Sequence, residues 1–281
     1  RNNGFNAESA YEYGRFEFLI YDILAKMDGK PLHRYLGAEK DSLAAYGSGC
    51  GTNLTDCQMV QELEDFLKAG YKTVKMKIAS NFGADLDNDI RRIALARKTI
   101  GDSIGLAIDG NQYFKPETAL EFIKRANEYN IEWYEEPVHC CDFEGLSWLT
   151  KRSPVDIAMG ESMRNHYMFR EYLNRGVKHF QPCPSNMAGI REWMAIRDMA
   201  RENKIKLTSG GLPYMASPLI ATADDEARQE YLAPIESLQR EYLSVKWEIK
   251  NGRFYLPDIP GVPFVVDLTS MRRHCLIAKK E

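Results

Sequence analysis

The sequence predicts an α/β fold, a closed barrel of parallel strands alternating with helices. Three observations carry this. Eight strand-like runs alternate with helix-like segments at intervals of roughly 22–34 residues, the length of a repeated βα unit. No G-x-G-x-x-G follows any of these runs, which favours a closed barrel over an open doubly wound sheet. Three successive strands end in a carboxylate, where such a barrel places its working residues.

The elements follow in order. Residues from about Ala7 to Met27 have helical periodicity, with Phe16, Leu19, Ile20, Ile23 and Leu24 on one stripe, and Asp28-Gly29-Lys30-Pro31 stops the helix. After a turn through Gly37 comes a short strand, Leu43–Gly47, then a helix from Asp56 to Lys68 closed by Gly70. Thr73–Ile78 is the second strand, rich in β-branched residues, and a helix from about Asp85 to Thr99 ends at Gly101. The apolar run Ile104–Ile108 is a buried strand ending at Asp109. Pro116 opens a helix to about Tyr129, and the strand Ile131–Glu135 follows. Four more pairs complete the pattern. A helix at Phe143–Thr150 precedes the strand Val155–Met159, and Tyr167–Asn174 precedes Val177–Gln181. Gly189–Glu202 precedes Ile205–Thr208, and Ala216–Ala223 precedes a last strand around Glu230–Leu232. The first helix and the tail beyond Ser244 fall outside the repeat and read as parts of a second, incomplete subdomain.

Composition narrows the function. The 281 residues are 44% hydrophobic and 27% charged, ordinary globular values, and the net charge of −3 gives no case for a nucleic-acid or anionic-membrane partner. No apolar run is long enough to span a bilayer, and no signal-peptide pattern is present. Six cysteines (Cys50, Cys57, Cys140, Cys141, Cys183, Cys275) contain no C-x-x-C and do not form a disulfide framework, so a reducing, cytoplasmic setting is expected. The chain begins at Arg1 rather than Met, as expected of a fragment or a processed form.

Lys75 and Lys77 lie two positions apart on the second strand, so their side chains project from the same face. On a solvated edge strand such a pair is merely a soluble face. Inside a barrel the pair must face an anion or lose a proton, and each desolvated lysine depresses the other's pKa, the usual route to a lysine base. Asp109, Glu135 and Glu161 supply the anion, each 26 positions from the next. One acid at a strand end is ordinarily a helix cap or a surface group, and Asp109 with Asn111 could be only a turn. Three in step beside the lysines cannot share a desolvated mouth without a cation. An all-oxygen donor set selects a hard ion with open positions, and Mg²⁺ fits best.

Taken together, Lys75-Met76-Lys77, Asp109-Gly110-Asn111, Glu135-Glu136-Pro137 and Gly160-Glu161 resemble the enolase superfamily, within it the mandelate racemase-like branch of acid-sugar dehydratases and racemases. The likeness runs from Asp28-Gly29-Lys30-Pro31-Leu32 to Leu256-Pro257-Asp258-Ile259-Pro260-Gly261. It implies a TIM-type (β/α)7β barrel with part of an α+β capping domain. Residues 1–40 are then a capping remnant with the lead-in helix, 41–243 the barrel, and 244–281 a segment returning to the cap, most of which is absent. The resemblance further implies Mg²⁺ held by Asp109, Glu135 and Glu161, with Lys77 as general base and Lys75 lowering its pKa. Glu230, if held protonated, donates a hydrogen bond to the substrate carboxylate. Asn111, Cys183 and His139 are candidate substrate contacts.

Two departures shape the expected chemistry. Where the branch carries an Asp after the sixth strand and a His after the seventh, this chain has Pro182-Cys183 and Ser209-Gly210. Where the related muconate-lactonising branch has a lysine, the nearest residue is Asn186. Cys183 is a chemically possible substitute for the second base, and a buried structural thiol is the plainer reading. Tyr113 and His166 stand near strand ends as further donors, while His33, His179 and His274 have no motif context. The expected function is removal of the proton α to a carboxylate, foremost dehydration of a sugar acid to a 2-keto-3-deoxy acid. The alternatives are racemisation, epimerisation or cycloisomerisation of a carboxylic acid, or a catalytically silent sugar-acid-binding scaffold. A homo-oligomer is expected.

Overall fold

The computed structural model describes residues 7–274, so Cys275 lies outside the described residues. Eight strands form the barrel: β1 (Ser42–Gly49), β2 (Thr73–Lys77), β3 (Gly105–Asp109), β4 (Ile131–Glu135), β5 (Ile157–Met159), β6 (His179–Phe180), β7 (Lys206–Ser209) and β8 (Arg228–Leu232). Each pairs in parallel with its neighbour in sequence, and β1 pairs with both β2 and β8, closing the ring. This is the TIM-type barrel that the repeat predicts. Among the described residues no helix is long and apolar enough to cross a membrane.

The helices sit where patterning puts them, with ends set by caps. Asp56–Lys68 begins with a capping box between Thr55 and Gln58. Leu86–Ile100 starts one residue later than expected because the Asp85 side chain caps it by accepting from Asn88 N–H. The helix expected at Ala216–Ala223 instead runs Pro213–Ile220, with Pro213 in the first turn, where its fixed φ is helical and its missing N–H costs nothing. A helix at Ala233–Tyr242 follows β8 and had no counterpart in the periodicity reading.

The hairpin β9 (Glu248–Lys250) and β10 (Arg253–Tyr255) turns through Asn251-Gly252, both with positive φ. That is the signature of a two-residue type I′ turn, present in the sequence but not read from it. The strand β10 runs antiparallel along β1, pairing Ser42 with Tyr255 and Ala44 with Arg253. Gly70 has to be glycine, since a Cβ there would lie 2.7 Å from Asn251 Cα and its φ is +86°.

The helix α1 (Ala7–Met27) forms where the periodicity places it, and its apolar stripe is not the buried face. Ala10, Phe18 and Ala25 are its buried apolar residues, and Gly14 packs so closely on Met187 that an added Cβ would stand 2.2 Å from the Met187 carbonyl oxygen. The stripe Phe16, Leu19, Ile20, Ile23 and Leu24 faces away from the barrel, with Phe16 62% exposed. Periodicity identified the helix but not the buried face.

The barrel interior is filled in layers. At the bottom, Arg228 donates to Glu132 Oε1 at 2.7 Å and to Thr73 Oγ1 at 2.8 Å, and Thr73 donates to Glu132 Oε2 at 2.9 Å. Above this, Trp133 meets Tyr46 and His179 edge-on, with centroids 5.3 and 5.0 Å away, while Ala107 and Ala158 leave room for the rings. His179 Nε2 is 3.0 Å from Thr208 Oγ1, and burial, then Arg228, hold its pKa well below the usual histidine value. This neutral aromatic plug is the floor of the site.

Candidate active site

On β2 the pleat points Lys75 and Lys77 into the barrel mouth, as the spacing predicts. Lys75 is 2% exposed and its Nζ stands 2.6 Å from Glu135 Oε1, 2.8 Å from Glu230 Oε1 and 3.6 Å from Asp109 Oδ2. Lys77, nearer the rim and 27% exposed, contacts Asp109 Oδ2 at 2.5 Å. Strand register explains the meeting: Lys77 pairs with Asp109 across β2 and β3, and Asp109 with Glu135 across β3 and β4.

The charge states differ from the sequence expectation. Burial works against charge on Lys75, but Glu135 and Glu230 outweigh it and hold its pKa well above the ordinary lysine value. Burial and Lys75 do lower the pKa of Lys77 as anticipated, yet the contact with Asp109 overrides both and the net shift is upward. Glu230 is likewise a charged acceptor rather than a protonated donor, because Lys75 overcomes the burial that would raise it. Asp109 is held low by Lys77 and Lys75 against its burial. The other acids go the opposite way. Burial and then Asp109 push Glu135 up to about 8, burial and then Glu161 push Glu136 up to about 9, and burial and then Asp109 raise Glu161.

These shifts record a surplus. Five carboxyl groups (Asp109, Glu135, Glu136, Glu161, Glu230) share the mouth with two ammonium groups. A hard divalent cation is what this donor set lacks. The ligand oxygens of Asp109, Glu135 and Glu161 do not all lie within 4.8 Å of one another; Lys75 stands against Glu135 and Lys77 against Asp109. The residues fit a Mg²⁺ ion in donor chemistry and in charge.

Neighbouring groups hold the carboxylates in place; Gln181, Trp133 and Gln112 were not singled out from the sequence, whereas Asn111 was. Glu135 Oε2 accepts from Gln181 Nε2 at 2.6 Å and Trp133 Nε1 at 3.3 Å, and Asp109 Oδ1 accepts from Asn111 N–H at 2.9 Å. Gln112 links three successive loops. Its Nε2 donates to Glu136 Oε2 at 2.9 Å and Ser162 Oγ at 2.8 Å, and its Oε1 accepts from Cys140 N–H at 2.8 Å. Asn111, Gln112 and Glu136 all have positive φ, an unusual conformation for side chains of this size that marks a constrained set of loops. Glu136 Oε1 is buried and without a hydrogen bond. Gln181 was accessible to sequence reasoning as a polar residue at a strand end on the inward face of β6.

The candidate substrate contacts divide. Asn111 lines an open cleft of about 460 Å³ with Thr52, Asn53, Lys77, Phe82 and Tyr113. Cys183 closes β6, opposite β2 in strand order; it is buried, 3.1 Å from Ser185 Oγ, and burial pushes its thiol up to about 11. Ser209 donates to the Pro182 carbonyl at 2.8 Å, and Asn186 to the Glu161 carbonyl at 2.9 Å, so both brace the mouth through backbone. His139 is exposed and belongs to a separate cluster, its Nδ1 accepting from Cys141 N–H at 3.2 Å. His166 pairs with Glu192 at 2.6 Å, and Tyr113 is half exposed beside Phe82.

Known proteins share this architecture. The chain is 28% identical over 261 residues to the L-talarate/galactarate dehydratase of Salmonella typhimurium, covering 91% of this chain and 63% of the relative. It is 27% identical over 254 residues to the arabinonate dehydratase of Saccharolobus solfataricus, covering 88% and 67%. The chain thus spans about two thirds of the length of these relatives, and other relatives are a cycloisomerase and an epimerase. Among solved structures, an L-talarate dehydratase from a Polaromonas species, complexed with Mg and L-glucarate, superposes with a TM-score of 0.85 at 23% identity, covering 94% of this chain and 72% of that one. Residues 58–270 match the family model described as Enolase C-terminal domain-like, and the chain belongs to that family, within the enolase superfamily.

Proposed function

We propose that this chain carries out Mg²⁺-dependent removal of the proton α to a carboxylate, with dehydration of a sugar acid as its reaction. The observation that supports this most strongly is the pairing of Lys75 and Lys77 with Asp109, Glu135 and Glu230 at the open end of the barrel, beside Glu161. Sugar-acid dehydratases among the relatives support the substrate class.

In this reading Asp109, Glu135 and Glu161 hold the ion. When bound, Mg²⁺ supplies the positive charge that stabilises the enediolate made from the substrate carboxylate. Lys77 takes the proton from C2. It must be neutral to do so, and burial and Lys75 push it that way once the charge of Asp109 is engaged elsewhere. Lys75, buried and charged, keeps positive charge beside the carboxylate, and Glu230 holds Lys75 in place. The C2–H and C3–O bonds break, the hydroxide leaves as water with a proton returned by Lys77, and the enol tautomerises to the 2-keto-3-deoxy acid. One base suffices if both groups leave on the Lys77 face. The wall opposite Lys77 offers Cys183, a thiol raised to about 11, which is ill suited to a second base near neutrality.

The test is incubation with a panel of aldonic and aldaric acids in D₂O with Mg²⁺. A 2-keto-3-deoxy acid from at least one of them is the expected result. Deuterium at C2 with no ketone would make the chain an epimerase, and neither product would leave it a sugar-acid-binding scaffold; both outcomes overturn the dehydratase reading.

A further inference from the structure

The loop leaving β4 carries three soft donors in a row, His139, Cys140 and Cys141. Their ligand atoms lie within 4.8 Å of one another, the one such His/Cys/Asp/Glu group found among the described residues. The two Sγ atoms are 3.8 Å apart. A tetrahedral ion with metal–sulfur bonds of about 2.3 Å sets its two sulfurs about 3.8 Å apart, so the thiols already stand at the edge of a tetrahedral site. A disulfide needs about 2.05 Å, far shorter than the spacing here.

The backbone is organised for this on both sides of Cys140. Its N–H donates to Gln112 Oε1 at 2.8 Å, its carbonyl accepts from the Tyr172 hydroxyl at 3.0 Å, and Asp142 N–H returns to the His139 carbonyl at 2.9 Å. His139 and Cys141 are exposed and Cys140 half-buried, so an ion can enter from solvent. The His139 Nδ1 contact with Cys141 N–H, at 3.2 Å, is long and easily given up. Two thiolates and an imidazole select a soft or borderline ion over Mg²⁺, so this cluster and the carboxylates at the barrel mouth take different metals.

We propose that His139, Cys140 and Cys141 form a second metal site, for a d¹⁰ ion of the Zn²⁺ class, with water in the fourth position. Binding forms two metal–thiolate bonds and one metal–imidazole bond and releases the two thiol protons to solvent; nothing is oxidised. Because both thiols must lose their protons to bind, affinity falls as pH is lowered. The ion sits on the segment that Gln112 ties to Glu136, and its occupancy stiffens the loop carrying Glu135-Glu136-Pro137.

The test uses the full chain, reduced and saturated with Mg²⁺, titrated with Cd²⁺ as a spectroscopic stand-in for Zn²⁺. Thiolate-to-cadmium absorption rising to one equivalent, with two thiols becoming protected from alkylation, is the expected result. Cys140→Ser and Cys141→Ser should each weaken binding at least about 10-fold, and His139→Ala by about 10-fold or more. Cys57→Ser, which removes another exposed thiol, should leave binding unchanged. Thermal melts check that each variant folds. Absorption that survives in both Cys140→Ser and Cys141→Ser overturns the proposal, as does failure of the reduced chain to bind one equivalent. So does a chain whose two thiols are joined as a disulfide and take up no metal once reduced.

Discussion

Lys75 on β2 reaches across β3 to place its ammonium 2.6 Å from Glu135 on β4, and the same nitrogen is 2.8 Å from Glu230 on β8. One buried cation thus ties three strands of the barrel at the level where the carboxylates converge. Removing it leaves buried acids without a counter-charge, which decides the first prediction. Lys75→Met should cost about 3–5 kcal/mol of stability, the usual penalty for breaking a buried ion pair from one side. Thermal or urea unfolding with and without Mg²⁺ measures this, and Mg²⁺ should recover part of the loss. An unchanged melting temperature would contradict the ion-pair account.

Lys77 is the proposed base, closer to the rim and paired with Asp109 alone, whereas Lys75 meets three carboxylates. Lys77→Ala should lower kcat by roughly 10²–10⁴-fold, the range for loss of a general base, with the fold and Mg²⁺ affinity retained. Exchange of the C2 proton in D₂O should disappear in parallel. Full activity in this variant would remove Lys77 from the mechanism.

Gln112 positions the carboxylate-bearing loops through three hydrogen bonds. Gln112→Ala should weaken Mg²⁺ binding by up to about 10-fold, less than loss of a direct partner of a ligand, because Gln112 holds Glu136 and Ser162, the residues that follow Glu135 and Glu161. Calorimetric titration gives the affinity. A melting-temperature loss with unchanged Mg²⁺ affinity would assign Gln112 to the fold alone.

The raised carboxyls set a pH dependence. Glu136 has its pKa pushed from 4.5 to about 9 by burial and then by Glu161, so the folded metal-free chain binds its proton more tightly than the unfolded chain does. Stability therefore falls as pH rises between about 4.5 and about 9, by at most about 1.4 kcal/mol per pH unit for this group. Glu136→Gln should flatten that slope. Unfolding followed from pH 5 to pH 9 in chelator checks it, and a slope equal in the two proteins would rule Glu136 out as its source.

Much of the site was legible because strand alternation and strand-end position are local properties. Lys75 and Lys77 two apart, and Asp109, Glu135 and Glu161 each closing a strand, needed only a period of two and a βα repeat. Gln112 and Glu136 were not legible in their roles. Their partners lie on other loops, and the positive φ that aims them is invisible in residue type. The Asn251-Gly252 hairpin is legible as a local turn signal but lies outside the parallel βα repeat that predicts the barrel.

By itself, the sequence determined the alternation of strands and helices, the closure into a barrel, and the identity of the charges at its mouth. These follow from patterns set within a few dozen residues of one another. Only the tertiary structure decided which face of α1 is buried, which lysines and carboxyls are raised or lowered in pKa, and that Arg228 seals the barrel floor against Thr73, 155 positions away. Charge state and burial are sums over every neighbour in space, and most of those neighbours come from strands remote in the chain.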